Sequence, residues 1–449
     1  MKMQKLFMNK MVVLTLMVAI VLIAHQADAW WWGKSAKAKE ETASQPPALT
    51  LHDCYQLTLK QSETIAINEE FIKEADAHFL SALGIMLPHA SFSSTDFKQD
   101  KLSPGGSSTS SSSVRARSST RKFTVSQTLF NGFKEYAGVV GSGSERGQRK
   151  EELARAKDLL MGDVANAFYL YLQQQEDLKS LAAIESALKG RVTELRDRER
   201  LGRSRQSEVV NAQSQLYNVQ AEIESVKALE VIACHLLEFL VGRPVGGVVD
   251  VHEELPAIQD RVYYLSQVGT RPDVVAAKHA WDVAKRQVTI AASGYFPSVN
   301  LEGNDYVQRT GSNKGIDWDV SLVVNVPIFE GTETLGAVKA AEAQAREAKL
   351  RYEFAKRSAA QDIQDAYVQY QTAILRHRAL KKSMDTAELN YHLQKKDYRL
   401  NLVNNLDVLQ AIQVLENAQR SYIQALYDSK RQYWQMRVAA GDAAPKEKR

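Results

Sequence analysis

Phe130-Asn131-Gly132 ends one run of alternating apolar and polar residues, and Phe329-Glu330-Gly331 ends another, 199 positions later. The same offset carries Asp163, Ala167 and Phe168 onto Asp362, Ala366 and Tyr367. It also carries Leu201 onto Leu400, Glu208 onto Asp407, Val209 onto Val408, Ala212 onto Ala411 and Gly242 onto Gly441. One register held without a gap over more than a hundred residues marks an internal duplication. Upstream, Leu87-Pro88 corresponds to Phe296-Pro297 at an offset of 209, so the first copy carries a longer loop before its Phe-x-Gly end. The extra length falls in Ser103-Pro104-Gly105-Gly106 and the serine-rich stretch to Thr120, a composition that predicts a solvated loop.

Each copy reads as a helix of about two dozen residues, a strand after proline, a loop, a second strand and a long helical region. In the second copy Trp318, Val320, Leu322, Val324 and Val326 alternate with Asp319, Ser321 and Asn325, a period of two that gives a strand one apolar and one polar face. The matching strand of the first copy, Phe123, Val125, Gln127 and Leu129, shows the same alternation more weakly. Beyond these strands no proline occurs between Gly132 and Arg243 or between Gly331 and Ala444. Ala341, Ala345, Ala348, Tyr352, Ala355 and Ala359 step by fours and threes, and Ile363, Tyr367, Tyr370 and Ile374 continue after a stutter of four, which predicts a coiled-coil seam. Gly202-Arg203-Ser204 and Asn401-Leu402-Val403-Asn404-Asn405 interrupt the pattern, so each region folds back into two antiparallel helices. The first of these helices, about 70 residues, would run roughly 105 Å.

The chain divides accordingly into a signal segment (1–29), an N-terminal linker (30–48), repeat 1 (49–242), a connecting segment (243–255), repeat 2 (256–441) and a tail (442–449). Within repeat 1 the β-hairpin is expected over about 89–130 and the helical hairpin over 132–242. In repeat 2 they are expected over about 298–329 and 331–441. The first segment has Lys2, Lys5 and Lys10 before the apolar residues 11–24 and the small-residue site Ala27-Asp28-Ala29, the plan of a cleaved secretory signal. Its removal lowers the formal charge from +4 to +2, too near balance to imply nucleic acid or another polyanion as a partner.

Two cysteines, Cys54 and Cys234, cannot form the framework of a small disulfide-rich domain, and either a bridge or two free thiols fits the sequence. Gly141-Ser142-Gly143 with Gly147 is spaced G-x-G-x-x-x-G without a following βαβ unit. The nine histidines lack ligand spacing, so neither a cofactor nor a metal is expected, and no catalytic cluster supports an enzyme. After residue 30 charged residues interrupt every apolar run, so any membrane contact must be made by strands. Four short strands cannot close a barrel, and an open sheet edge is not tolerated in hydrocarbon, so several copies must combine.

The proline-preceded strands, Thr128-Leu129-Phe130-Asn131-Gly132, Val326-Pro327-Ile328-Phe329-Glu330-Gly331 and Leu406-Asp407-Val408-Leu409-Gln410-Ala411 together resemble the TolC-like outer-membrane efflux proteins, over nearly all of residues 49–441. The resemblance implies a mainly α fold with transmembrane β structure: a homotrimer whose copies each supply four strands to a twelve-stranded barrel in outer-membrane lipid, continued by a long helical tunnel across the periplasm. It implies as partners a periplasmic adaptor and an inner-membrane transporter of the RND or ABC type, serving efflux or type I secretion. It also implies an acidic entrance at the tip, where Asp407 takes the first acidic position, Gln410 replaces the second and Glu208 is the repeat-1 counterpart. A solvated aspartate beside a helix turn is the alternative for Asp407. Tyr398 matches a tyrosine that holds the family's closed tip, although Val403 and Leu426 stand where its basic partners are expected.

The turns, with Gly202, Arg203 and Ser204 on one side and Asn401, Leu402, Val403 and Asn404 on the other, are the expected docking points for the adaptor. Arg115, Arg117, Arg121 and Lys122 are candidates for lipopolysaccharide phosphates against the alternative of a solvated, nonspecific loop, and Trp30-Trp31-Trp32 for a membrane interface against that of a disordered terminus. The competing reading is a soluble periplasmic coiled-coil scaffold or adaptor, which leaves the alternating strands unexplained.

Overall fold

The computed structural model describes residues 48–98, 117–251, 257–310 and 314–445. The expected signal segment, nearly all of the N-terminal linker, Trp30-Trp31-Trp32, Arg115, the bulk of the serine-rich stretch and the last four residues lie outside them.

Four helices dominate: α3 (Lys134–Arg200) and α4 (Gln206–Val241), then α7 (Glu333–Arg399) and α8 (Asn405–Ala440). The long members have 67 residues each and the short ones 36, and every boundary recurs at an offset of 199. At about 1.5 Å per residue the long helices run roughly 100 Å. Without internal proline, each ends where the backbone turns left-handed, α4 at Gly242 (φ 74°) and α8 at Gly441 (φ 72°). Entry to α3 is similar, with Gly132 at φ 60°. A Cβ on Gly132 would lie 2.7 Å from the Ser293 carbonyl oxygen, so glycine is required there for space as well as for φ.

Shorter helices precede each pair of strands. In repeat 1 the expected single helix is two, α1 (Leu51–Gln61) and α2 (Glu63–Ile85), because Ser62 leaves the helical region and its hydroxyl caps the second by accepting from Ile65 N–H. In repeat 2, α5 (Arg261–Ser266) and a 3₁₀ turn lead to α6 (Pro272–Ala292), which starts on Pro272 in its first turn.

The strands β1 (His89–Lys98), β2 (Arg117–Asn131), β3 (Ser298–Arg309) and β4 (Trp318–Asn325) form one antiparallel sheet in sequence order. Two sequence expectations are corrected. Ser118, Ser119 and Thr120, assigned by composition to a solvated loop, extend β2 and pair with Phe97, Asp96 and Thr95. Ser119 is also held to Thr310 through its N–H and carbonyl, so backbone pairing overrides a composition that favours coil. Conversely β4 stops at Asn325, short of the expected 329, since Pro327 has no N–H for a ladder and Ile328 and Phe329 point into solvent.

Three apolar clusters hold the helices. Phe168, Tyr169, Leu172, Leu237 and Val241 enclose Cys54 and Tyr55 of α1. Leu181, Leu188, Leu195, Val209, Leu216 and Leu409 pack toward the turns, and Ala359, Ile363, Tyr370 and Met436 join α7 to α8. The predicted α7 seam appears in that last cluster, with Ala359, Ile363 and Tyr370 buried, and Ala341 is buried outside it. Each fully buried large side chain contributes about 1.5–3 kcal/mol. The connecting segment is tied down: Leu49 pairs with Val248 in parallel, and Lys430 bonds to Asp250. Cys54 is buried and Cys234 half-buried; both are free thiols.

Candidate functional site

The sheet register sorts side chains by face. Phe92 of β1 lies opposite Phe123 of β2, and Ala90 opposite Val125. Val125 lies opposite Gly303, which lies opposite Val320, while Leu301 faces Leu322 and Val299 faces Val324. Since alternate residues share a face, Ala90, Phe92, Phe123, Val125, Val299, Leu301, Val320, Leu322 and Val324 form one apolar surface, with Trp318 at one end. Phe92 and Phe123 touch at 4.9 Å between ring centroids. This surface is uncovered: Trp318 is 69% exposed, Val320 62% and Leu322 59%. From Trp318 to Val324 it rises about 20 Å at roughly 3.3 Å per residue, close to the apolar band of about 25 Å on outer-membrane barrels.

The opposite face carries a polar network. Asn304, buried at its centre, accepts from Lys122 Nζ and Thr124 Oγ1, each at 2.8 Å, and donates to Asp319 Oδ1 at 2.9 Å. Tyr306 OH donates to Asp319 Oδ2 at 2.8 Å, and Thr128 Oγ1 to Asn300 Oδ1 at 2.9 Å. Sequence reasoning missed this hub. The signal was present in β3, where Asn300, Glu302, Asn304 and Tyr306 occupy alternate positions. Arg121 and Lys122, grouped in sequence, separate: Arg121 is exposed on the same side as Phe123, while Lys122 turns to the polar network, with Glu302 3.7 Å away. Leu129 falls at a register shift between Thr128 and Phe130, which explains the weaker alternation of β2. Among the described residues the two outer strands, β1 and β4, have unpaired edges.

At the far ends of the long helices lie the two turns. Gly202 (φ 67°) and Asn401 (φ 58°) hold the same left-handed position one repeat apart, and asparagine is among the few non-glycine residues that adopt it readily. Gly202, Arg203, Asn401 and Leu402 are exposed, whereas Val403 packs onto the nearby apolar cluster. Asn404 and Asp407 form a capping box: Asp407 N–H donates to Asn404 Oδ1 at 3.1 Å, and Asn404 N–H to Asp407 Oδ2 at 3.0 Å. The Asp407 residue is thus half-buried with its carboxylate bonded to backbone, while Gln410 is exposed. Glu208 likewise accepts from Ser204 Oγ at 2.6 Å.

Tyr398 is buried between two guanidinium groups, Arg191 at 3.6 Å and Arg198 at 4.4 Å from its ring centroid. Arg191 is itself buried, and its Nε donates to Asn405 Oδ1 and its Nη1 to Glu194. The positive charge that Val403 and Leu426 do not supply therefore comes from α3. Among the described residues no cluster of His, Cys, Asp and Glu gathers to hold a metal ion, and no helix is long and apolar enough to cross a membrane.

Residues 267–442 match the family model described as outer membrane efflux protein. The structure superimposes on the outer-membrane protein VceC of Vibrio cholerae with a TM-score of 0.76 at 21% identity, covering 87% of this chain and 96% of that one. In sequence, the chain is 23% identical over 316 residues to the outer-membrane protein TolC of V. cholerae, spanning 66% of this chain and 70% of that protein. Over residues 267–442 the chain thus carries the sequence pattern of outer membrane efflux proteins, and its fold is TolC-like. The chain is also similar to the alkaline protease secretion protein AprF of Pseudomonas aeruginosa, 26% identical over 175 residues, 38% of this chain and 36% of that protein. As in the other TolC-like folds, long helices continue from a four-stranded antiparallel sheet that makes up one third of a barrel. Family members are outer-membrane proteins, consistent with the uncovered apolar face.

Proposed function

We propose that three copies of this chain form an exit duct through the outer membrane, the β4 edge of each pairing with the β1 edge of the next to close twelve strands. The observation that carries this reading is the sheet itself: two unpaired edges, one uncovered apolar face for lipid, and one face of hydrogen-bonded polar side chains suited to a water-filled lumen. A soluble scaffold would have no use for such an apolar face. The N-terminal segment 1–29 directs export and is removed, and the helical hairpins reach across the periplasm.

At the tip, the turns around Gly202, Arg203, Ser204 and Asn401 to Asn404 meet a periplasmic adaptor, which couples the duct to an inner-membrane transporter. Tyr398, held by Arg191 and Arg198, fastens the repeat-2 hairpin against α3 and keeps the entrance narrow. Asp407 and Glu208 stand near that entrance, but Asp407 first caps α8 through backbone hydrogen bonds and Glu208 is bonded to Ser204.

The test is conductance in planar bilayers. The native protein should insert as a low-conductance channel, and Arg191→Ala with Arg198→Ala should open it severalfold. Failure of the purified protein to insert would remove the duct reading, whereas insertion with unchanged conductance in the double variant would remove only the role of the Tyr398 clamp.

A further inference from the structure

The helices on the flanks of the chain differ in charge from those inside it. α2 carries five carboxylates and one lysine, and α4 likewise five carboxylates and one lysine, a net −4 each. α7 carries thirteen basic and nine acidic residues, a net +4. The helices packed between them are near balance: twelve of each sign on α3, and a net +1 on both α6 and α8. Packing separates these groups. α3 lies against α2, α4, α6 and α8, whereas α2 and α4 border one side of the wall and α7 the other.

The two borders also agree in height. Gln220 of α4 bonds to Glu185 of α3; Asp177 and Arg191 of α3 bond to Arg420 and Asn405 of α8; and Tyr422 of α8 stacks on His377 of α7. Stepping through these contacts puts Glu224 and Glu230 of α4 level with Arg376, Arg378, Lys381 and Lys382 of α7. All four cations are exposed, and none has an ion-pair partner among the described residues. Their field is felt locally: together with burial, Lys381 and Arg378 hold the His377 imidazole below its ordinary value. Apolar groups interleave with the charges on both borders. Ile232, Leu236 and Phe239 of α4 are exposed at coiled-coil spacing, Phe239 by 80%, and Val368 and Leu375 of α7 are exposed seven residues apart.

We infer that the helical wall closes by docking the acidic α2/α4 border of one copy on the basic α7 border of the next, so that charge directs assembly. The inference rests on the three-copy duct proposed above and names the surface that joins the copies. Because the two borders differ, the contact is head-to-tail, and like borders repel, which suppresses a two-fold dimer. Exposed pairs of this kind are screened beyond about 10 Å at roughly 0.1 M salt, so the contact weakens as salt rises.

The experiment uses the full chain in detergent, with oligomer mass read by native mass spectrometry and light scattering across a salt series. The native chain should be trimeric, with the trimer dissociating at about tenfold lower dilution at high salt than at low salt. The variant Arg376→Glu, Arg378→Glu, Lys381→Glu, Lys382→Glu should weaken the trimer at least as much while keeping its helical circular dichroism. Combining those four changes with a second variant, Glu224→Lys with Glu230→Lys, in one chain swaps the charges at every junction and should restore the trimer. A native trimer indifferent to salt and to both variants overturns the charge-directed border but leaves the duct standing. A native chain that forms no trimer at any salt overturns both.

Discussion

The helices α3 and α7 have the same length and corresponding sequences, yet they live in different surroundings. α3 is enclosed by five other helices, α1, α2, α4, α6 and α8, and buries Phe168, Leu181, Leu188 and Leu195 almost completely. α7 packs on α6 and α8 along one stripe and leaves Phe354, Val368 and Leu375 in the open. The same holds at finer scale: Gly132 abuts Ser293, while its counterpart Gly331 has open space around it. Duplication supplied two copies of one element, and the place of each copy in the wall then determined its surface.

Breaking this comparison begins with the core. Phe168→Ala, fully buried, should destabilise by about 3–5 kcal/mol, while Tyr367→Ala, its half-buried counterpart, should cost about 1 kcal/mol, as read from thermal melting in detergent. Equal losses would mean that the neighbouring copy encloses Tyr367 as this chain's own helices enclose Phe168. Next come the two glycines. Gly331→Ala should cost about 1–2 kcal/mol for the left-handed backbone alone, and Gly132→Ala more, because its Cβ meets the Ser293 backbone. Similar melting temperatures for the pair would put the close approach at Gly132 in error.

The tip clamp exists in only one direction, since the repeat-2 counterparts of Arg191 and Arg198 are Asn390 and Asp397, and that of Tyr398 in repeat 1 is Glu199. Removing Arg191 should therefore cost about 0.5–2 kcal/mol of stability along with its effect on conductance, whereas Asn390→Ala should leave both unchanged.

The smallest effect is expected at Glu416, a buried carboxylate whose repeat-1 counterpart is the exposed Tyr217. Burial pushes its carboxyl above the ordinary value, and Glu222 and Asp177 add to the shift against Arg420. A raised folded-state value means that the unfolded chain ionises first as pH climbs past about 4.5, so stability falls through that window and the penalty is complete at neutral pH. Glu416→Gln should raise stability at neutral pH by under about 1 kcal/mol and flatten the pH dependence. A loss of stability at neutral pH would show that the charge is compensated.

What was legible in the sequence was local or periodic. The 199-residue register, the alternation in β4 and the seam through Ala359, Ile363 and Tyr370 all follow from chemistry within a few residues, and the structure has each of them. Contacts between distant segments were not legible. The partners of Tyr398 sit about 200 residues away on α3, and nothing at Val403 or Leu426 points to them. Ser118 to Thr120 looked like coil because composition is blind to a neighbouring strand that satisfies its backbone. Asp407 fitted the acidic position expected from the resemblance, but its spacing from Asn404 is also that of a capping box, and the structure adopts that box. Periodicity showed that α7 has an apolar stripe; it could not tell that the helix lies at a border.

The central claim is that one chain is an incomplete wall and three make the duct. Native mass spectrometry of the protein extracted from outer membranes tests it most directly. A detergent-dependent species of three chains is expected, with the chain beginning near Trp30 and, at low salt and high protein concentration, free monomer only after heating. A monomer that stays soluble without detergent would contradict it.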